Sequence, residues 1–485
     1  MAFLSLLFSN QASAAVFKVD TTTDDAALSI CTDAAANDCS LRGAISAANA
    51  QVGADIVVVP AGTYTLTLAT TDEDANLNGD LDVAAGSAIT LFGAGARSTV
   101  IQAGTVGGAS GNGVDRVFDI LAGGALSISS VTVRNGRTSG AGGGIRNGGN
   151  LWVNRVAVAD NRTTGTSGGG GFEILTASTT TILNSTISGN SINASSGGGL
   201  RTIGSAQVLI ANTTISGNTA AQTGGGAIRA QSGAGGLITI TNCTITGNAL
   251  LANAGGGLSN SNTMRIRNTI VAGNTALTNP DVSGAFASGG TNLIGVQGTS
   301  TGWLSSGATA DLLNNTSSNL GTLANNGGQT DTNALNAPSA AIDAGQDCVL
   351  NSSCDTFNAP VNLSIDQRGF ARVAGGDSNF YKNLGAAVVD IGAFEFGGTQ
   401  PNAFVSISGK VSAGANSLSM RSRVFLTDAA GSVKTAPVSP FGYYKFEDVA
   451  AGSTVLVEVS SKDAAFAPQV VTADQNVSDL NFTAQ

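Results

Sequence analysis

The stretch that decides the fold is Ile238-Thr239-Ile240-Thr241-Asn242-Cys243-Thr244-Ile245-Thr246-Gly247-Asn248. It reads as two short strands of alternating apolar and polar residues with one extra residue between them. The same pattern returns on both sides. Leu151 to Asn161, Thr180 to Asn190, Val208 to Asn218 and Met264 to Asn274 align on their last asparagine, and these asparagines lie 29, 28, 30 and 26 residues apart. Ile210, Thr213 and Ile215 take the places of Ile240, Cys243 and Ile245, as do Ile266, Thr269 and Val271. At the break stand Asn184, Asn212, Asn242 and Asn268. Asparagine tolerates left-handed backbone, so these positions suit a sharp corner, and stacked corners would form a side-chain ladder.

Working outward, a glycine run precedes a third strand in each copy: Gly142 to Ile145, Gly169 to Phe172, Gly197 to Leu200, Gly224 to Ile228 and Gly255 to Leu258. Three strands and three bends per ~28 residues describe one coil of a parallel β-helix, in which each coil buries its inward face against its neighbours. A β-sandwich would have no reason to repeat the same Asn and Gly positions five times. The sequence therefore predicts an all-β, right-handed parallel β-helix.

Composition agrees. Of 485 residues 66 are Gly, only 11% are charged and 42% are hydrophobic, which suits a packed core joined by tight turns. A net charge of −10 argues against nucleic-acid partners. Histidine is absent, which excludes Ser-His-Asp triads and His metal ligands. Phe3 to Phe8 is apolar and is followed by Ala12-Ser13-Ala14, so residues 1–14 read as a secretory signal, although the basic start expected of one is missing. No later run reaches the ~20 apolar residues of a membrane span. An extracellular or cell-surface location is the expectation. The close spacings of Cys31 with Cys39 and of Cys348 with Cys354 suggest two disulfides, and Cys243 occupies a small inward slot as a buried thiol.

Ser40 is placed to cap a short helix whose apolar face is Leu41, Ala44, Ile45 and Ala48, a suitable cover for the open end of a solenoid. Cys39-Ser40-Leu41-Arg42 resembles the start of the CSLREA segment of bacterial surface β-helix proteins, with Gly43 where Glu is usual. Asn326 to Thr330, Ala341 to Gly345, Asp366 to Gly369 and Asp390 to Glu395 resemble the end of choice-of-anchor Q domains. Gly225-Gly226-Ala227-Ile228 is similar to repeats of polymorphic outer-membrane proteins. The resemblance covers about residues 30–396 and implies an exported β-helix without implying an activity. Beyond a linker at 397–402 the alternation suits a small antiparallel sandwich. There Gly431 to Val449 resembles carboxypeptidase regulatory-like (prealbumin-like) modules, which are non-catalytic. The expected organisation is a signal over 1–14, a cap over 15–54, the β-helix with a divergent C-terminal end over 55–396, a linker over 397–402 and the sandwich over 403–485.

Two constellations carry candidate chemistry. Asp74, Asn76, Asn78, Asp80 and Asp82 place oxygens at every second residue around Gly79, like the front of a calcium loop, although Ala85 stands where its bidentate Glu is expected and Asp72 or Glu73 would have to substitute. Arg146 and Arg201 follow successive glycine runs, with Glu173 and Arg229 at or near the same place, and form a candidate glycan-contacting stripe. Asp119, Asp160, Glu173 and Asp281 read as scattered over different positions of the coil, so no catalytic residue is assigned. The resulting expectation is a structural or adhesive surface protein associating with surface or matrix polysaccharide or with its own copies, with Ca²⁺ as the candidate cofactor. The alternatives are a carbohydrate-active β-helix enzyme and a subunit of an extracellular fibre. Carboxylates clustered within ~5–10 Å on one face would favour the enzyme.

Overall fold

The computed structural model describes residues 14–32, 35–69, 73–107, 111–222, 224–252, 254–354, 363–372, 389–399, 403–412, 422–462 and 464–485. The signal expected over 1–14 lies, but for Ala14, outside the described residues, as do Asp72 and part of the linker.

The repeats form a parallel β-helix, right-handed as the chirality of strand-crossover-strand units demands. Three long parallel sheets run along its axis. Sheet I has ten strands, from Val16–Lys18 and Ala54–Val59 to Thr263–Arg267 and Ala287–Gly290. Sheet II has eight, from Leu81–Val83 to Val282–Ser283, and sheet III has ten, from Gly62–Thr65 to Leu312–Leu313. Residues two apart on a strand share a face, so the inward positions stack into columns. In sheet I Val153, Ile182, Ile210, Ile240 and Ile266 stand in register, and in sheet II Phe118, Ile145, Phe172, Leu200 and Ile228 do the same. One continuous apolar core results. Cys243 lies in it as a fully buried free thiol.

Two features exceed the expectation of three strands per coil. A fourth sheet of two-residue strands comprises Arg137–Thr138, Arg162–Thr163, Ser191–Ile192, Thr219–Ala220 and Ala249–Leu250, the last four directly after Asn161, Asn190, Asn218 and Asn248. Those asparagines also form an interior ladder. Nδ2 of Asn161, Asn190, Asn218 and Asn248 donates to Oδ1 of the next at 2.9–3.0 Å, and Asn274 closes the ladder on Asp281. The corner asparagines adopt φ of 46–49° as expected, but their ladder is shorter, running from Asn154 through Asn184 to Asn212. The glycine runs recur because adjacent coils touch there. A Cβ on Gly170 would lie 2.4 Å from the carbonyl oxygen of Gly198, and one on Gly198 would lie 2.5 Å from that of Gly226.

The helix Leu41–Asn49 covers the first coil, with Gly43 N–H donating to the Ser40 hydroxyl at 2.9 Å. Gly43 has a steric cause, since a Cβ there would sit 1.9 Å from the Leu28 carbonyl oxygen. The Cys31–Cys39 disulfide closes the loop before the helix, and Cys348–Cys354 closes a second one. The last strand of the stack is Leu312–Leu313. Beyond them an antiparallel hairpin, Leu320–Ala324 with Thr332–Leu335, leads into a segment that returns along the corner asparagines. Gln367 bonds Thr186 and Thr214, Arg372 bonds Asn212, and Gly392 N–H reaches Asn268 O. Last come seven strands in two small sheets, mostly antiparallel, with one parallel pairing between Phe404–Ser412 and Phe482–Thr483. Arg155 and Ser130 stand where other coils place the corner asparagine, and they instead bond Asp474 and Gly452, and Thr454.

Candidate functional site

Sheet II strands have three residues, but for the two-residue Val282–Ser283, and in the three-residue strands the outer two face the core. The middle one faces outward. In register these outward residues are Asp82, Asp119, Arg146, Glu173, Arg201, Arg229, Ser259 and Ser283. The stripe expected at Arg146, Glu173, Arg201 and Arg229 is therefore one continuous row, a strand spacing of ~4.8 Å from residue to residue. It extends into the loop read as calcium-binding, because Asp82 is its first member. Asp119 and Glu173, read as scattered, share that row. Alignment by spacing missed this because Asp82 and Asp119 are 37 residues apart while Asp119 and Arg146 are 27 apart.

Charge is distributed unevenly along the row. Asp119 Oδ2 accepts from Arg146 at 2.7 Å and from Arg116 at 3.0 Å, and Arg116 also reaches Asp80 at 2.9 Å. Farther on, Glu173 lies 3.7 Å from Arg201. Arg201 donates twice to Gln231 Oε1 and Arg229 donates to Ser259 Oγ at 2.6 Å. The two arginines are register neighbours, and burial, with repulsion from Arg201 added, lowers the Arg229 guanidinium below its usual range. Like charges side by side on a sheet are unfavourable. The row is thus acidic at Asp82 and basic at Arg201 and Arg229.

The carboxylates form the floor, being almost fully buried, and the guanidiniums reach solvent. Burial pushes the Glu173 carboxyl up to about 7, against the pull of Arg201. Burial also raises Asp80 to about 7, opposed by Arg116, and Asp82 to about 8, aided by Asp80. Glu173 Oε2, Asp80 Oδ1 and Asp82 Oδ1 have no hydrogen-bond partner among the described residues. The glycine corners flank the arginines closely. A Cβ on Gly197 would lie 2.8 Å from Arg201 Cβ, and one on Gly224 would lie 3.0 Å from Arg229 Nη1.

The calcium-loop residues do not converge as one alternating set. Asn76 turns to the cap helix, where its Nδ2 donates to Arg42 O and Ser46 Oγ and its Oδ1 accepts from Asp82 N. Asp80 is tied to Arg116. Glu73, considered as a replacement ligand, accepts from the N–H groups of Ala75, Leu77 and Asn78 and organises the loop. Arg42 grips Gly79 O and Asp80 O at 2.7 Å each. What does come together is Asp74, Asp82 and Asp119, whose nearest ligand atoms all lie within 4.8 Å of one another. Asp160 is exposed at another corner, and Asp281 terminates the asparagine ladder.

Residues 117–316 match the family model for a right-handed β-helix region. That stretch of the β-helix holds the row from Asp119 to Ser283 and leaves Asp82 outside. Comparison with curated proteins finds no match. Among the described residues no helix is long and apolar enough to cross a membrane.

Proposed function

We propose that this β-helix is an extracellular surface protein that holds an anionic polysaccharide along the outward row of sheet II and does not cleave it. One observation carries the reading: Arg201 and Arg229 are outward neighbours on adjacent coils, and the carboxylate nearest them, Glu173, is held up near 7 by burial. Arg201 spends Nε and Nη2 on Gln231, and its Nη1 lies 3.7 Å from Glu173, beyond hydrogen-bond reach, which leaves guanidinium donors for a sugar carboxylate or sulfate. Ser259 and Ser283 continue the row with hydroxyls, and contacts repeated along one polymer add through multivalency. Two disulfides suit an oxidising, extracellular setting.

A second reading, a carbohydrate-active enzyme, is favoured by the carboxylates at Asp74, Asp82 and Asp119 and by Glu173 beside Arg201. Binding is preferred because Asp119 is engaged by two arginines, one of which, Arg146, stands between it and Glu173 two strands away. Incubation with a polyuronate, a sulfated glycan and a neutral glucan decides between them. Retention of the acidic polymers without new reducing ends or unsaturated products is expected. Steady product release that disappears in Glu173→Gln would establish the enzyme, and failure to retain either acidic polymer would end the binding reading.

A further inference from the structure

The acidic end of the row has more carboxylates than its cations balance. Asp74, Asp80, Asp82 and Asp119 gather around Arg116 and Arg146, and Asp80, Asp82 and Asp119 each feel other carboxylates of the group. Arg42 does not relieve this, since its guanidinium is paired with Asp24. Repulsion at such short range and with this much burial is costly unless something positive enters.

A second observation is independent of the count. The Asp82 side chain is fully buried, and although its Oδ2 accepts from Asn76 N–H at 2.9 Å, its Oδ1 has no hydrogen-bond partner among the described residues. Asn78 Oδ1, on the loop that carries Asp74, is likewise buried without one. A buried carboxylate oxygen left unpaired costs more than a lost hydrogen bond unless a ligand satisfies it. The acceptors are all oxygens, and hard divalent cations are held by several oxygens with carboxylates at their centre.

We infer that Asp74, Asp82 and Asp119 hold a divalent cation of the calcium class, which ties the loop over residues 73–80 to the first and second strands of sheet II. The set differs from the alternating one read in the sequence: Asn76 is committed to the cap helix, Asp80 is not in the group whose ligand atoms meet within 4.8 Å, and Asp119 arrives from the next coil. Its three carboxylates come from a loop, a strand and the following coil, so the ion would clamp the capped end of the solenoid. Asp74 is exposed and gives the ion its route from solvent. The inference does not rest on the glycan reading.

The test is calcium titration of the whole chain by calorimetry, with thermal unfolding in calcium and in chelator. Saturable binding and a raised Tm are expected. Asp74→Asn should weaken binding at least tenfold and abolish most of the Tm shift, and Asp119→Asn should do the same, while Asp160→Asn, an exposed carboxylate outside the cluster, should keep both. Because Asp74 is exposed, its variant should fold even if the Asp119 variant does not. Absence of calcium heat with an unchanged Tm would overturn the inference, as would an Asp74→Asn protein that binds calcium as tightly as the parent.

Discussion

Two regions use the same side chains to opposite ends. In the segment that returns along the solenoid, Arg368 pairs with Asp366 and lies over the rings of Phe370 and Phe394, at 4.0 and 3.6 Å. Arg372, fully buried, pairs with Glu395 and reaches Asn212. Asp366, Asp390 and Glu395 accept from backbone N–H groups, and among the described residues the buried atom of this group without a partner is Arg372 Nε rather than a carboxylate oxygen. On the outward row of sheet II, Asp82 and Glu173 are just as buried, yet each keeps an unpaired oxygen, and two arginines stand side by side. A charge network closed on itself fixes a fold, whereas one left open at its edge retains capacity for something outside the chain.

Breaking the closed network should cost the most. Arg372→Met removes a partner from Glu395 and leaves a buried carboxyl, so a loss of about 3–5 kcal/mol of stability is expected. Thermal or denaturant unfolding measures it. Arg201→Ala, on the open row, should cost clearly less than Arg372→Met, because its 3.7 Å contact with Glu173 is longer than a hydrogen bond and burial holds the Glu173 carboxyl up to about 7. Equal losses from the two substitutions would erase the distinction.

Glu173 sharpens the comparison through pH. Its carboxyl is raised to about 7 in the folded chain from an ordinary value near 4.5. Between those values the folded state holds a proton that the unfolded state has released. Stability contributed by the protonated form is thus present at acid pH and is lost as pH rises through about 7, a change on the order of a few kcal/mol. Glu173→Gln should flatten unfolding midpoints across that window. A parent curve equally flat there would contradict the burial argument.

Cysteine gives the smallest effects. Burial pushes the Cys243 thiol up to about 12, so the native protein should resist alkylation. Cys243→Thr, the residue found in the same slot at Thr213 and Thr269, should cost no more than about 1–2 kcal/mol. Rapid modification of the native protein by iodoacetamide would show that the slot opens.

The contrast also explains how much the sequence disclosed. The solenoid was legible because a coil repeats its backbone requirements: an Asn at each corner, small residues where coils touch and apolar residues at inward positions. The Arg–Glu stripe was legible for the same reason, since Arg146 and Arg201 follow equivalent glycine runs. Asp119 was not, because the longer segment between Asp82 and Asp119 breaks the count. The commitment of Asn76 and Asp80 was hidden too, since their partners Arg42, Ser46 and Arg116 come from distant parts of the chain. Motifs such as Asp366 to Gly369 and Asp390 to Glu395 stood out in the sequence, and the structure gives them internal bonds along the solenoid.

The central claim, that the open row grips an anionic glycan, is tested most directly by titrating a soluble polyuronate into the parent chain and into the Arg201→Ala, Arg229→Ala double variant. Saturable binding that weakens with added salt, and that falls at least tenfold in a double variant of unchanged Tm, is the expected result. Polyuronate bound equally by both proteins would contradict the account.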